Sequence, residues 1–347
     1  MGCKPGSVEK LIPNLYPKEK YVIHHNLLQH YMELGLEVTK IHRVIEFNES
    51  CYMKPFIDLN TEMRQKATQE GDKAGINTYK LMSNAVFGKS CENLLNRSSV
   101  EVVNNKKILQ KRIAKPNFKR TKIFSEDLVA VDMAQTKTVL KRPVHVGFST
   151  LEISKGKMSK FHYDDWMPKF PEAKLLFTDT DSLCYAISND PVPIMSSFAD
   201  EFDFSEYPKD HPLYDGKNMK VLGKFKDECL GQPLLSFRGL RPKLYCMEMM
   251  KKDGDGNVIK TSDIKGKGLT ATVRKNQLSV DDFDRCLQGQ IIDPVTQRGI
   301  RSDHHRLYTY EAKKIGLSAG DDKRYICDDG VTTLAHGHYL TRPVPPS

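Results

Sequence analysis

The chain has 347 residues, 39% of them hydrophobic and 28% charged, with a formal net charge of +9. That length exceeds one compact core and fits two or three subdomains, and the basic balance suits a polyanionic partner. The eight cysteines (Cys3, Cys51, Cys91, Cys184, Cys229, Cys246, Cys286, Cys327) form no CxxC pair, which argues against a zinc motif or a disulfide framework and for a reduced compartment. No apolar run is long enough to cross a membrane, and no secretory segment is evident. The start, Met1 to Gly6, misses the myristoylation pattern because Gly6 stands where Ser or Thr is needed.

In chain order, residues 19–36 carry helical apolar spacing at Val22, Leu27, Leu28, Tyr31, Met32 and Leu34, closing near Gly35. Residues 37–47 alternate as a strand does, at Val38, Ile41, Val44, Ile45 and Phe47. Residues 57–68 and 73–96 read as two helices joined by a turn at Gly71 and Gly75. Short strands are expected near 99–103, 127–133 and 137–141, then a helix over 146–163. Past Pro191 the chain is loop-rich. Strands are expected near 220–227, 241–249 and 257–262, a short helix over 280–288, and strands with turns over 301–340. Asp253-Gly254-Asp255-Gly256-Asn257 hints at a calcium loop, but Val258 and Ile264 replace the required Gly and bidentate Glu, so a hairpin turn is expected. The pairs His24-His25 and His304-His305 lack metal-ligand spacing and read as surface or packing residues. Residues 342–347 read as a frayed tail.

Three stretches carry chemistry. Residues 177–185 read Phe-Thr-Asp-Thr-Asp-Ser-Leu-Cys-Tyr, with apolar runs on both sides, as strand, tight turn, strand. Asp179 and Asp181, held close, repel each other unless a cation sits between them, and Mg²⁺ suits hard oxygen ligands. The plain alternative is a polar turn, since Asp, Thr and Ser are ordinary turn residues. In residues 80–89, Lys80, Asn84 and Phe87 fall on one helix face, a set that suits a nucleoside triphosphate, with Gly88 permitting close approach; a solvated polar face is the alternative. Residues 106–122 hold eight Lys or Arg and no acid, either a solvated face or a phosphate-backbone contact that includes Lys119 and Arg120.

The pattern Lys80-x-x-x-Asn84-Ala85-x-Phe87-Gly88, followed about ninety residues later by Asp179-Thr180-Asp181-Ser182, resembles motifs B and C of family B DNA polymerases. The protein-primed branch of viruses and Polinton/Maverick elements is similar in further stretches: Thr39-Lys40-Ile41-His42-Arg43, Tyr207-Pro208-Lys209-Asp210-His211-Pro212-Leu213, Gly239-Leu240-Arg241-Pro242-Lys243-Leu244-Tyr245 and Asp321-Asp322-Lys323-Arg324-Tyr325. The resemblance spans residues 9–340.

The resemblance implies an α+β right-hand polymerase fold. Residues 1–55 would be the N-terminal part of the palm, 56–98 the fingers, 99–145 an inserted basic region, 146–262 the palm, and 263–347 the thumb. Asp181 would be the principal Mg²⁺ ligand and Asp179 the supporting one, in a site that holds two ions when complete. Lys80 would neutralise the incoming triphosphate, Asn84 and Phe87 would shape the nucleotide pocket, and Arg64 and Lys66 would add phosphate contacts. Lys243 and Tyr245 match the KxY motif that holds the primer end. Lys155, in Thr150-Leu151-Glu152-Ile153-Ser154-Lys155, stands for the Arg of a Thr-x-x-[Ala/Gly]-Arg motif as a primer-strand contact. The basic run lies where this branch carries its second terminal-protein region. Implied partners are a DNA primer-template, deoxynucleoside triphosphates and a terminal protein primer, with no membrane; the implied location is intracellular, in a nucleus or a viral replication site.

Two motifs of the family are not found. Motif A, Asp-x-x-Ser-Leu-Tyr-Pro, supplies another metal-binding Asp; Leu11-Ile12-Pro13-Asn14-Leu15-Tyr16-Pro17 ends alike but has Leu11 in place of that Asp, and it lies too near Lys80. The exonuclease domain is not found either. The sequence therefore resembles the C-terminal part of a polymerase, and a non-catalytic nucleic-acid-binding remnant is the competing expectation.

Overall fold

The computed structural model describes residues 11–232, 234–252 and 258–341. The fold is α+β with antiparallel sheets. Helix α1 (His25–Glu33) starts at His24, whose side chain accepts the Asn26 N–H. A hairpin of α2 (Lys54–Gln69) and α3 (Lys73–Ser90) follows. Pro55 opens α2, where its missing N–H costs nothing. The turn between them contains Gly71 at φ +72° and ends on Asp72, whose carboxylate caps the Ala74 and Gly75 N–H groups at 3.0 Å.

Next comes a small unit: β1 (Ser98–Val103), α4 (Lys106–Ile113), β2 (Phe118–Ser125) and β3 (Leu128–Ala134), in sheet order β1-β3-β2. Alternation along β3 sends Val129, Val131 and Met133 into a core with Leu109 of α4, while Ala130 and Asp132 face the other way. Helix α5 (Val144–Lys160) then packs on α3 and α1. Gly147 makes the α3 contact close: a Cβ there would stand 2.2 Å from Cys91 Sγ and 2.3 Å from Ser90 Oγ. Helix α5 runs on into a π-helical turn (Phe161–Trp166) and a short α6 (Met167–Lys169).

The hairpin of β4 (Lys174–Thr178) and β5 (Leu183–Ala186) follows, then α7 (Pro191–Ser196) and a long irregular stretch. An aromatic core of Phe161, Trp166, Phe198, Phe202, Phe204 and Tyr207 binds these segments together. The sheet β6 (Leu234–Arg241), β7 (Leu244–Lys252), β8 (Val258–Gly266) packs with α8 (Ala271–Asn276) and α9 (Val280–Leu287) around Phe283, Cys246 and Val273. A long ribbon, β9 (Val295–Asp303) with β10 (Arg306–Lys314), and the short pair β11 (Tyr325–Ile326) and β12 (Thr333–Leu334) complete the described chain. The accessible surface is 25,360 Å². A compact monomer of this mass exposes roughly 14,000 Å². The described residues form separate cores on an open frame.

The ribbon reaches back to the small sheet. His304 and His305 form its two-residue turn at φ +46° and +69°, the left-handed pair of a hairpin that twists with its strands. His305 Nε2 lies 2.9 Å from Asp132 Oδ1, Arg120 Nε lies 2.7 Å from Asp132 Oδ2, and Arg306 donates to the Ile123 carbonyl at 2.9 Å. Buried Asp132 is thus paired on both oxygens. Of the two expected alternatives, surface or packing, His305 takes the packing one through Asp132, while His304 pairs locally with Asp303.

Several expected elements differ. Residues 37–47 form no strand: they carry no regular secondary structure, with Ile41, Val44 and Ile45 exposed, because no described strand pairs with them. Alternation marks a strand only where a neighbour supplies the ladder. Helix α1 is shorter than 19–36, Gly75 lies inside α3 rather than in the turn, and residues 137–141 and 220–227 form no strand. Helices α4 and α8 and strand β6 are additional to the expectation, and β2 arises inside the basic run. The calcium-like loop at 253–257, the segment 1–10 and the tail 342–347 lie outside the described residues.

Two outcomes are expected. Gly147→Ala should destabilise the fold by about 1–3 kcal/mol, read as a lowered unfolding midpoint, because Ser90 and Cys91 must move; an unchanged midpoint would contradict this packing. The Asp132 carboxyl is held below its ordinary value of 3.8, first by Arg120 and then by His305, against the opposing effect of burial. A depressed carboxyl contributes stability that is complete above its ordinary value and is lost as pH falls through the depressed one. Asp132→Asn should therefore flatten the fall in thermal midpoint between about pH 5 and about pH 3; parallel curves would refute the pairing.

Candidate functional site

Two turns converge on the acidic hairpin. At the tip of β4–β5, Asp179 N–H donates to the Ser182 carbonyl at 3.1 Å and Asp181 N–H to the Asp179 carbonyl at 2.6 Å. Between them Thr180 sits at φ +60°, an outlier for a β-branched residue. The turn between β6 and β7 is Pro242-Lys243, with Lys243 at φ +63° where Gly would be unstrained. Each left-handed non-glycine residue costs about 1–2 kcal/mol, and such strain gathers at functional sites. Here it puts Lys243 Nζ 2.6 and 2.7 Å from the two oxygens of Asp179. Asp179 is half-buried and Asp181 exposed. The pair is open to solvent, so it adds little stability, but it offsets the repulsion between the two carboxylates.

The hairpin is held on both faces. Phe177 stacks on Tyr245 at 4.6 Å between centroids and on Phe237 at 5.6 Å, which fixes β4 against β6–β7. On the opposite face Leu183, Tyr185 and Ile187 join the aromatic core. Burial first, then the charges of Asp263 and Asp179, raise the Tyr245 hydroxyl above its ordinary range, so it stays protonated and able to donate.

Among the expected site residues, the structure brings together Asp179, Asp181, Lys243 and Tyr245. Lys80 and Asn84 are exposed and Phe87 half-buried on α3, and a Cβ at Gly88 would meet no atom within 4 Å, leaving that face open for a ligand. On α2, Arg64 is half-buried with its Nε lacking a described partner, and Lys66 lies 3.9 Å from Glu70. Lys155 donates to buried Glu152 at 2.7 Å, which raises its pKa, so its charge is already compensated within the helix. Lys119 is exposed, whereas Arg120 is engaged with Asp132. The sequence reading missed the Phe177–Tyr245–Phe237 stack and the aromatic support of Tyr185. Opposite-face alternation of Phe177 and Tyr185 on paired strands was the available signal.

Among the described residues no group of three or more His, Cys, Asp or Glu side chains is placed to hold a metal ion. Asp179 and Asp181 alone fit a single Mg²⁺ that completes its shell with water and phosphate oxygens. They do not by themselves fit a pair of ions, which needs a further bridging carboxylate.

Residues 15–165, from before α1 into the π-turn, match the family described as DNA polymerase type B, organellar and viral. The match covers less than half of the chain and ends before the acidic hairpin. It supports a relationship to type B DNA polymerases. No curated protein and no solved structure matches the chain. No helix among the described residues is long and apolar enough to cross a membrane.

Lys243 competes with any cation for Asp179. Lys243→Met should therefore tighten Mn²⁺ binding, measured by electron paramagnetic resonance, by about two- to fivefold; weaker binding would show that Lys243 supports the cation site instead.

Proposed function

We propose that the chain is part of a DNA-directed DNA polymerase of the protein-primed type, with α2–α3 as fingers, the hairpin β4–β5 with β6–β8 as palm, and the C-terminal ribbon as thumb. The observation that carries the reading is the tip of β4–β5: two carboxylates two residues apart, with Lys243 of a second strained turn on Asp179 and Tyr245 of β7 stacked on Phe177 behind them. The family match upstream of that tip agrees with it.

The reaction is attack of a primer 3′-OH on the α-phosphate of a deoxynucleoside triphosphate, with pyrophosphate leaving in line. Mg²⁺ held by Asp179 and Asp181 supplies charge neutralisation at the phosphates. Lys80 meets the triphosphate as a point charge from the exposed face of α3, with Arg64 and Lys66 nearby on α2. Asn84 and Phe87 bound the sugar and base. Lys243, released from Asp179, and the protonated Tyr245 hold the primer end. Much of the rate in such chemistry comes from positioning, which the two gripped turns supply. Exposed Lys119 extends the path of the template backbone, and a terminal protein would supply the first primer hydroxyl.

A second reading is a non-catalytic nucleic-acid-binding remnant. It is favoured by one observation: among the described residues no third carboxylate joins Asp179 and Asp181. Both readings are tested by Mg²⁺-dependent extension of a primed DNA template, with Asp181→Asn in parallel. Very weak or no extension by this chain alone is expected, together with salt-dependent DNA binding. Clear extension that vanishes in Asp181→Asn would show a complete site and remove the second reading; absence of both extension and DNA binding would remove both.

A further inference from the structure

The π-helical turn at Phe161–Trp166 is the least ordinary element of the backbone. Such turns are rare and cluster at functional sites, because the wider turn displaces side chains from the face an α-helix would give them. This one ends α5 directly behind the acidic hairpin. The Tyr185 hydroxyl lies 2.9 Å from His162 Nδ1. Its ring is stacked on Trp166 at 4.6 Å and 15°, and on His162 at 5.8 Å and 16°. Trp166 in turn stacks on Phe198 at 5.7 Å. Tyr185 stands on β5, which begins two residues after Asp181 at the end of the acidic turn.

Burial lowers the His162 pKa and raises that of Tyr185, so both groups are neutral, and the imidazole tautomer sets which of the two donates. Trp166 Nε1 is buried without a described partner, in a residue that is 5% exposed. An orphan indole N–H is costly. A plain apolar filler would avoid that cost, so the flat ring over Tyr185 accounts for the choice of residue.

We infer that His162 and Trp166 are positioning residues that, through Tyr185, fix the strand presenting Asp181 to its cation and phosphate. The inference rests on the cation reading of the hairpin given above. On the opposite face Phe177 of β4 is held by Tyr245, and Tyr185 adds to the ladder with β4 and to the packing of Leu183 and Ile187 in holding β5 against a shift along its own direction. The π-turn supplies the clamp from a helix that itself lies on α3, so the acidic tip and the fingers pair share one rigid support.

The test is Mn²⁺ binding by the full chain, compared in wild type, Asp181→Asn, Tyr185→Phe, His162→Phe and the Tyr185→Phe/His162→Phe double variant. Near-ultraviolet circular dichroism from Trp166, the chain's one tryptophan, monitors folding of the aromatic core. Tyr185→Phe keeps the ring and removes only the hydroxyl. It should weaken Mn²⁺ binding about fivefold, the worth of one neutral hydrogen bond, with the Trp166 signal retained. The double variant should bind no more weakly than either single one, because both remove the same bond. Binding lost in Asp181→Asn yet unchanged in Tyr185→Phe and His162→Phe would overturn the inference alone. Equal binding by wild type and Asp181→Asn would overturn the cation reading, and the inference with it.

Discussion

The two-sided grip on the β4–β5 hairpin is the constraint on which the rest of the site depends. A two-stranded hairpin is marginal by itself in water, and its tip here carries two carboxylates and a strained threonine. Phe177 stacks on Tyr245 and Phe237 on one face, while Leu183 and Tyr185 enter the aromatic core on the other. Burying aromatic rings on both faces supplies the stabilisation that repulsion and strain at the tip remove. Asp181 can therefore stay exposed, and Asp179 half-buried, while packing on both faces holds the strands behind them.

The electrostatics follow from the same geometry. Lys243 reaches Asp179 because its turn accepts a left-handed lysine, and that turn is fixed by the register of β6 on β7. Lys243 balances Asp179 in the free chain; under the function proposed above it would turn to a phosphate once a metal ion took over that carboxylate. Other charges have local tasks. Lys155 answers buried Glu152, and Arg120 with His305 answers buried Asp132. A basic run in the sequence is thus partly spent on internal acids, and only its exposed members face solvent.

The open frame has a physical basis in the cores. The small sheet buries Val129, Val131 and Met133 under α4, the segment around the β4–β5 hairpin buries its aromatic cluster, and the C-terminal segment buries Phe283 and its neighbours. The small sheet and the C-terminal segment meet through His305 on Asp132, and α5 joins α3 where Gly147 lies against Ser90 and Cys91. Residues 37–50, without regular secondary structure, leave apolar side chains such as Ile41 and Val44 in solvent.

By itself the sequence determined the helical hairpin, the acidic strand–turn–strand and the basic run, because local periodicity and short spacings encode these, whereas the link between the Lys-x-Tyr stretch and that turn was an implication of the family resemblance. Elements that depend on distant partners were not legible. Residues 37–47 have the alternation of a strand and no strand to pair with, while β2 forms inside a lysine-rich run because β3 provides its ladder. The left-handed conformations of Thr180, Lys243 and His305 could not be read from residue type, since each is imposed by the strands it joins. The π-turn and the stacking of Trp166 on Tyr185 likewise come from packing between segments far apart in the chain. Only the tertiary structure decided which cations are committed to internal acids and which side chains hold the carboxylates in place, because both depend on distances that no sequence spacing fixes.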